Sequence, residues 1–235
     1  MSKVTSINIP PTNHIKVLDE GQGWIGLINN MGNESTITNA ARVSFCKMKN
    51  EFDEKDEMLL KYLIDNKHLT PLEHVVFTFS VHCPLFVRGQ WMRHRMGSFN
   101  EISRRYTNVD MEIYKPSSYR KQSDNNKQAS IEGTVIDNNE SIVKKINEYA
   151  ELSVQLYESI LEEGVCKEQA RGILPQNMMT TFWWTVNLRS LVNFLQLRDD
   201  DHAQIEIREY AIAIKKLIKP YIPHVIEYYG WKTNE

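Results

Sequence analysis

Residues 73–93 read EHVVFTFSVHCPLFVRGQWMR, and this stretch decides the fold. Val75, Phe77, Phe79 and Val81 recur at every second position, so they share one face of an extended strand over Glu73–His82, in a run rich in β-branched and aromatic residues. Pro84 then suits the first turn of a helix, where a missing amide donor costs nothing, and the helix continues from Leu85 to Arg93. Combined with the helical periodicity on either side, a strand feeding directly into a helix predicts an α+β fold. The expected architecture is a single domain over residues 1–235, with a small, mainly antiparallel sheet packed against long helices.

Toward the N-terminus, Ile15 to Leu18 reads as a short strand and Gly21 to Asn33 as a Gly/Asn-rich turn. Ser35 or Thr36 can cap a helix running through Ala40, Ala41 and Val43, because a short hydroxyl side chain satisfies free amides of the first turn. Met58, Leu59, Tyr62 and Leu63 recur at helical steps within Glu54 to Asn66, and Thr70 and Pro71 end that helix.

Toward the C-terminus, Ser117 to Glu140 is rich in Ser, Asn, Gln and Lys and predicts an exposed, mobile excursion (117–140). Beyond it the chain reads as predominantly helical. Ile142, Ile146, Tyr149, Leu152, Leu156 and Ile160 form an apolar stripe ending near Gly164, a helix-stop residue. Further helices are expected from Asn187 to Leu197 and, after Asp199–Asp201, through Ile207, Tyr210, Ile214 and Ile218 to Pro220. His202 and Glu206 are four apart on that last helix, but two ligand types without a third do not make a metal site.

Thirty acidic and 28 basic residues leave a formal charge of −2, without the basic excess of a general nucleic-acid or anionic-membrane binder. Neither partner is expected. Met1 to His14 lacks the basic start and apolar core of a signal peptide, and no run approaches the roughly 20 apolar residues of a membrane span. Cys46, Cys83 and Cys166 are odd in number and widely spaced, against a disulfide framework or zinc site; a reducing cytoplasm fits. For each cysteine, burial as a small apolar residue is the expectation.

From Arg93 to Tyr106 the chain reads RHRMGSFNEISRRY, with four arginines, His94, Glu101 and several neutral hydrogen-bonding groups in fourteen residues. Guanidinium forks fit phosphate oxygens, while Ser98, Asn100 and Ser103 both donate to and accept from a sugar or heterocycle. That mixture suits a nucleotide. Taken alone, the segment also admits a solvated basic surface, or a single-strand-binding patch on which Trp91, Phe99 and Tyr106 stack bases.

The segment resembles the signature of the flavin-dependent thymidylate synthases. Their pattern is Arg-His-Arg, two free positions, Ser, one free, Asn-Glu, one free, Ser, one free, Arg-Tyr. Arg93, His94, Arg95, Ser98, Asn100, Glu101, Ser103, Arg105 and Tyr106 fill all of it. Nine fixed positions at roughly 5% each give a chance match on the order of 10⁻¹² per starting point. The resemblance extends to His68–His74, Phe77–Phe79, Gln90–Met92, Arg171 with Leu174–Pro175, Trp184–Arg198 and His202–Gln204. One departure is Gly89, where many relatives carry Arg, with Arg88 one place earlier; another is the excursion 117–140.

The resemblance implies an enzyme that makes dTMP from dUMP, with methylenetetrahydrofolate as carbon donor and FAD, recharged by NADPH, as hydride source. It implies no cysteine nucleophile, and a homotetramer whose subunits complete one another's sites. By the same resemblance dUMP is held by Gln90, Trp91, Met92, Arg93, Glu101, Ile102, Ser103, Arg104, Arg105, Arg171 and Arg198, with Arg198 the principal catalytic residue. A guanidinium beside the uracil N3 and carbonyl oxygens would stabilise negative charge on the ring and push electron density to C5. FAD is assigned His68, Thr70, Arg93, His94, Arg95, Asn100, Glu101, Asn187, Leu188, Arg189 and Asn193. No Gly-x-Gly-x-x-Gly follows a strand, so a Rossmann mode is not expected. The resemblance further implies that Arg93, Arg171 and Arg198 meet around one uracil ring. The residues alone leave Arg198 another use, neutralising Asp199–Asp201 at a helix end.

Overall fold

The computed structural model describes residues 6–124 and 130–233. Its centre is one five-stranded antiparallel sheet, β1 (His14–Val17), β2 (Gly23–Met31), β3 (Val76–Pro84), β4 (Ser98–Glu101) and β5 (Met179–Asn187), in spatial order β1-β2-β3-β5-β4. Eight α-helices surround it: α1 (Glu34–Arg42), α2 (Glu54–Asp65), α3 (Leu85–Trp91), α4 (Asn139–Glu162), α5 (Lys167–Ala170), α6 (Leu188–Arg198), α7 (Ile205–Ile218) and α8 (Pro223–Tyr228). The α+β expectation holds, and β3 into α3 is the expected strand and helix. Val75, Phe77, Phe79 and Val81 are all fully buried.

Three expectations are corrected. The supposed turn Gly21–Asn33 is largely β2, whose first five residues are buried. Gly23 marks a close approach rather than a turn: a Cβ there would collide with the Tyr210 hydroxyl, which donates to the His82 carbonyl oxygen at 2.5 Å. The cap of α1 is Asn33, two residues before Ser35. Its side chain accepts from the Thr36 amide, while the Thr36 hydroxyl accepts from the Asn33 amide, a reciprocal capping box. The C-terminal half is not uniformly helical, because MTTFWWTVN forms β5, the partner of β3 along nine residue pairs. Its core face carries Phe182, Trp184 and Val186, while Thr181, Trp183 and Thr185 alternate with them on the other face.

The core is densest where Trp91 meets Phe182, Trp184, Phe194 and Tyr210, with ring centroids 4.8–5.6 Å apart. Helix α4 forms as expected, but its buried residues are Ala150, Ser153 and Tyr157, beside the expected stripe, of which Tyr149, Leu152 and Leu156 are 64%, 62% and 53% exposed. In the excursion, residues 125–129 lie outside the described residues. On either side Ser117 N donates to Asp19 Oδ2 at 2.5 Å, Arg120 pairs with Glu206 at 2.7 Å and Glu132 pairs with Arg208. His202 pairs with Asp200, so it and Glu206 have separate partners. Of the cysteines Cys83 is buried as expected; Cys46, just after a short helical turn, and Cys166, just before α5, are exposed. Among the described residues no helix is long and apolar enough to cross a membrane.

α8 is fastened by a clasp with a pH signature. His224 Nδ1 lies 2.6 Å from Oε2 of the largely buried Glu34, whose Oε1 accepts from the Val225 amide at 2.9 Å. The hydrogen bond to Glu34 raises the His224 pKa. A group whose folded-state pKa is raised binds its proton more tightly when folded, so its stabilisation is complete below the free imidazole value, about 6.5. It is lost as pH rises through the folded value. Urea unfolding should therefore show stability falling across that window, and His224→Gln should flatten this component; an unchanged pH profile in the variant would refute the assignment.

Candidate active site

Residues from three distant segments enclose a cavity of about 570 Å³. Glu101, Ile102, Ser103 and Arg104 come from the end of β4 and the turn after it, Arg171 from the turn after α5, and Thr180 from β5. The size suits a nucleotide-scale ligand. Strand β4 can lie against β5 because Gly97 precedes it: a Cβ there would stand 2.7 Å from the Trp184 indole nitrogen and 3.0 Å from the Thr185 carbonyl oxygen. The glycine inside the Arg-rich segment is thus a packing requirement of the sheet edge.

Glu101 is the most constrained group of the cavity. Arg88 Nε and Nη2 donate to its Oε2 at 2.9 and 2.5 Å, and the Thr180 hydroxyl donates to Oε1 at 2.9 Å. Arg104 donates to the Val109 and Asp110 carbonyl oxygens at 2.6 and 3.0 Å and so braces its own loop. Arg105 lies over the Tyr106 ring, 3.9 Å from Glu168. Arg171, which also lines the cavity, donates from Nε to the Glu168 carbonyl oxygen at 3.3 Å. Cys83 lies near Glu101 and Arg88 but is fully buried, and burial pushes its thiol pKa well up, which suits a structural role and not a nucleophilic one.

A second group forms on the other side of α3. Arg198 Nε donates to His94 Nε2 at 3.0 Å and Arg198 Nη2 to the Gln90 carbonyl oxygen at 3.3 Å; the Gln90 side chain bonds Gln204. Burial, and then the Arg198 charge, lower the His94 pKa to about 4, so the ring is neutral and its Nε2 free to accept. The alternative use of Arg198 is closed by its neighbours. Asp199 pairs with Lys215, Asp200 with His202 and Asp201 with Arg208. Arg198 is left to the His94 side, away from the acids.

Within one chain, then, Arg171 lines the cavity whereas Arg198 and Gln90 belong to the second group, and the exposed Arg93 carries no ion pair among the described residues. The expectation that the three arginines meet around one ring is not met by a single copy, because α3 stands between the groups. Of the assigned residues, Trp91 and Leu188 have fully buried side chains that fill the core, and the Leu188 amide donates to the Val75 carbonyl oxygen at 2.8 Å. Met92 packs against that core. Sequence reasoning did not assign Arg88, Gln176 or Thr180 to the cavity they line. Thr180 was hidden with β5; the Arg88/Gly89 departure was the signal for Arg88.

The residues assigned to FAD are spread over several places: Glu101 lines the cavity above, His94 bonds Arg198 and Leu188 fills the core. His68 and Thr70 line a cavity of about 500 Å³ with Phe45, Leu59 and Tyr62. Arg189 Nη1 pairs with Glu73 Oε1 at 2.6 Å, tying the start of α6 to the turn Thr70–His74, and Asn187 caps α6 by accepting from the Ser190 amide. Arg95, Asn100 and Asn193 are exposed. The apolar walls of that cavity suit the flat rings of a dinucleotide, and the exposed Arg93 and Arg95, with no ion pair among the described residues, suit its pyrophosphate, so these residues fit such a group. The nucleic-acid reading loses its stacking platform: Trp91 is buried, Phe99 lies stacked on Trp184 and only Tyr106, 75% exposed, is available.

Comparison with known proteins decides the family. Residues 26–224 match the model of the family described as thymidylate synthase complementing protein. A flavin-dependent thymidylate synthase of Thermosipho melanesiensis is 45% identical over 90% of this chain and 91% of that relative. The chain belongs to the flavin-dependent thymidylate synthase family. The relative of that name from Thermus thermophilus is 42% identical over 89% of this chain and 75% of its own length. Among solved structures of similar fold, the UMP/dUMP methylase PolB of Streptomyces cacaoi, determined with 5-Br dUMP, gives a TM-score of 0.79 at 28% identity, covering 88% of this chain and 94% of that one.

Proposed function

We propose that this protein converts dUMP to dTMP by reductive methylation, with methylenetetrahydrofolate as carbon donor and NADPH as reductant. The observation that carries the reading is the convergence of Glu101–Arg104 with Arg171, about 70 residues later, on one nucleotide-sized cavity within a chain of this family. FAD, when bound, supplies the hydride. In the cavity, Ser103 and the guanidinium of Arg171 bind the nucleotide, the arginine facing its phosphate. Arg198, held by its bond to neutral His94, places a fixed positive charge beside the uracil N3 and carbonyl oxygens. It stabilises the negative charge that develops as C5 forms its bond to the one-carbon unit. No cysteine is required, and Cys83 remains a buried thiol.

The split of the site residues across α3 supports a site assembled from two copies, Gln90, Arg93 and Arg198 from one and Glu101–Arg105 with Arg171 from another. A homotetramer would do this and would also cover the exposed Tyr149, Leu152 and Leu156. Three unpaired cysteines suit a cytoplasmic setting.

The purified protein should be yellow. NADPH should bleach its visible flavin bands, and addition of dUMP and methylenetetrahydrofolate should return the colour with formation of dTMP. A protein that takes up no FAD and forms no dTMP would refute the proposal.

A further inference from the structure

We infer that Arg88 and Thr180 are positioning residues that fix the Glu101 carboxylate so that one acceptor position of its Oε1 is kept for a donor on the nucleotide. The inference rests on the proposed reading of the 570 Å³ cavity as the nucleotide site. A carboxylate offers about four acceptor positions. Arg88 fills two on Oε2 through Nε and Nη2, and the Thr180 hydroxyl fills one on Oε1. One position on Oε1 remains, on a group that lines the cavity. It can take a ring N–H or a sugar hydroxyl and rejects an anion.

The three residues come from α3, β4 and β5, so the carboxylate is clamped between three elements instead of being free to rotate on its own strand. The guanidinium reaches it from position 88, while at Gly89 an added Cβ would meet nothing within 4 Å. A bare stabilising role does not account for the arrangement. The Arg88 and Glu101 side chains are 38% and 19% exposed, and ion pairs with that access to solvent add little to stability. A carboxylate with one free acceptor beside a ligand, by contrast, gains from every degree of rotation removed.

The test is calorimetric titration of dUMP into the FAD-loaded protein, with thermal melts and flavin content as controls. Arg88→Ala and Thr180→Val should each weaken dUMP binding about tenfold to a hundredfold, the usual consequence of losing a bond to a charged group. Thr180→Ser should restore affinity to within about threefold, since it returns the hydroxyl. In a Glu101→Gln background the further change Arg88→Ala should cost nothing more, because the arginine acts through the carboxylate. Equal losses with and without Glu101, or unchanged affinity in both single variants, would overturn the inference. Should Arg88→Ala not fold, the Thr180→Val and Thr180→Ser pair decides it: equal affinities for the two overturn it. Failure of the unaltered protein to bind dUMP would instead overturn the reading of the cavity itself.

Discussion

Arg198→Ala should lower kcat for dTMP formation by about 10²–10³-fold, the range found when one preorganised donor to developing negative charge is removed. The flavin spectrum and the melting temperature should stay close to those of the parent. The reason lies in the partners of Arg198. Its acidic neighbours are each satisfied by Lys215, His202 or Arg208, so removing the guanidinium leaves no carboxylate stranded. What it leaves is His94, whose Nε2 loses the donor at 3.0 Å. Because burial is the larger cause of the low His94 pKa and the Arg198 charge the smaller, the variant should raise that pKa from about 4 only part of the way to the free value. An NMR titration of the imidazole reads this directly. Turnover unchanged in Arg198→Ala would show that the catalytic charge lies elsewhere.

The second large effect concerns the core. Trp91→Ala should destabilise the fold by about 4 kcal/mol, within the range for deleting a buried aromatic side chain. The indole is fully buried and edge-on to Phe182, Trp184 and Tyr210, with Phe194 at 4.8 Å, so truncation opens a void where four rings converge. Its Nε1 has no hydrogen-bond partner among the described residues, so the indole acts through packing and Trp91→Phe should cost far less. Denaturant midpoints for the two variants measure the difference. A loss below about 1 kcal/mol in Trp91→Ala would mean that the neighbouring rings collapse into the space. Trp91 sits within the segment assigned to the nucleotide, yet its role is to hold α3 on the sheet, and with it Arg88 and Gln90.

Much of this was legible in the amino-acid order, for local reasons. The alternation of Val75, Phe77, Phe79 and Val81 and the helical spacing in α6 and α7 are periodic signals that the packing then uses, whereas in α2 and α4 the spacing located the helix but Met58, Tyr62, Tyr149, Leu152 and Leu156 stay exposed. The losses have physical causes too. β2 was mistaken for a turn because glycine serves close approach as well as turning, and only the presence of Tyr210 distinguishes the two uses. β5 was missed because Thr180, Thr181 and Thr185 present polar atoms that look like interruptions until His82, Glu101 and Thr78 arrive to bond them. In the site, Glu101, Ser103 and Arg104, assigned to the nucleotide by resemblance, line one cavity. The signature carried no information on Arg88, because the ion pair to Glu101 depends on how α3 faces β4. Nor could it separate the site residues into two groups, since that division follows from where α3 stands in three dimensions.

The sheet order has a consequence for assembly during synthesis. β1, β2 and β3 pair in chain order, with α1 and α2 inserted between the last two, and are all available once Pro84 emerges, whereas the β3–β5 ladder joins residues about a hundred apart, a long-range closure that folds slowly. β4, though made early, has only β5 to pair with and must wait for it. The segment most dense in arginine therefore stays unanchored until β5 has been made, and the cavity at Glu101–Arg104 cannot close before Thr180 has left the ribosome.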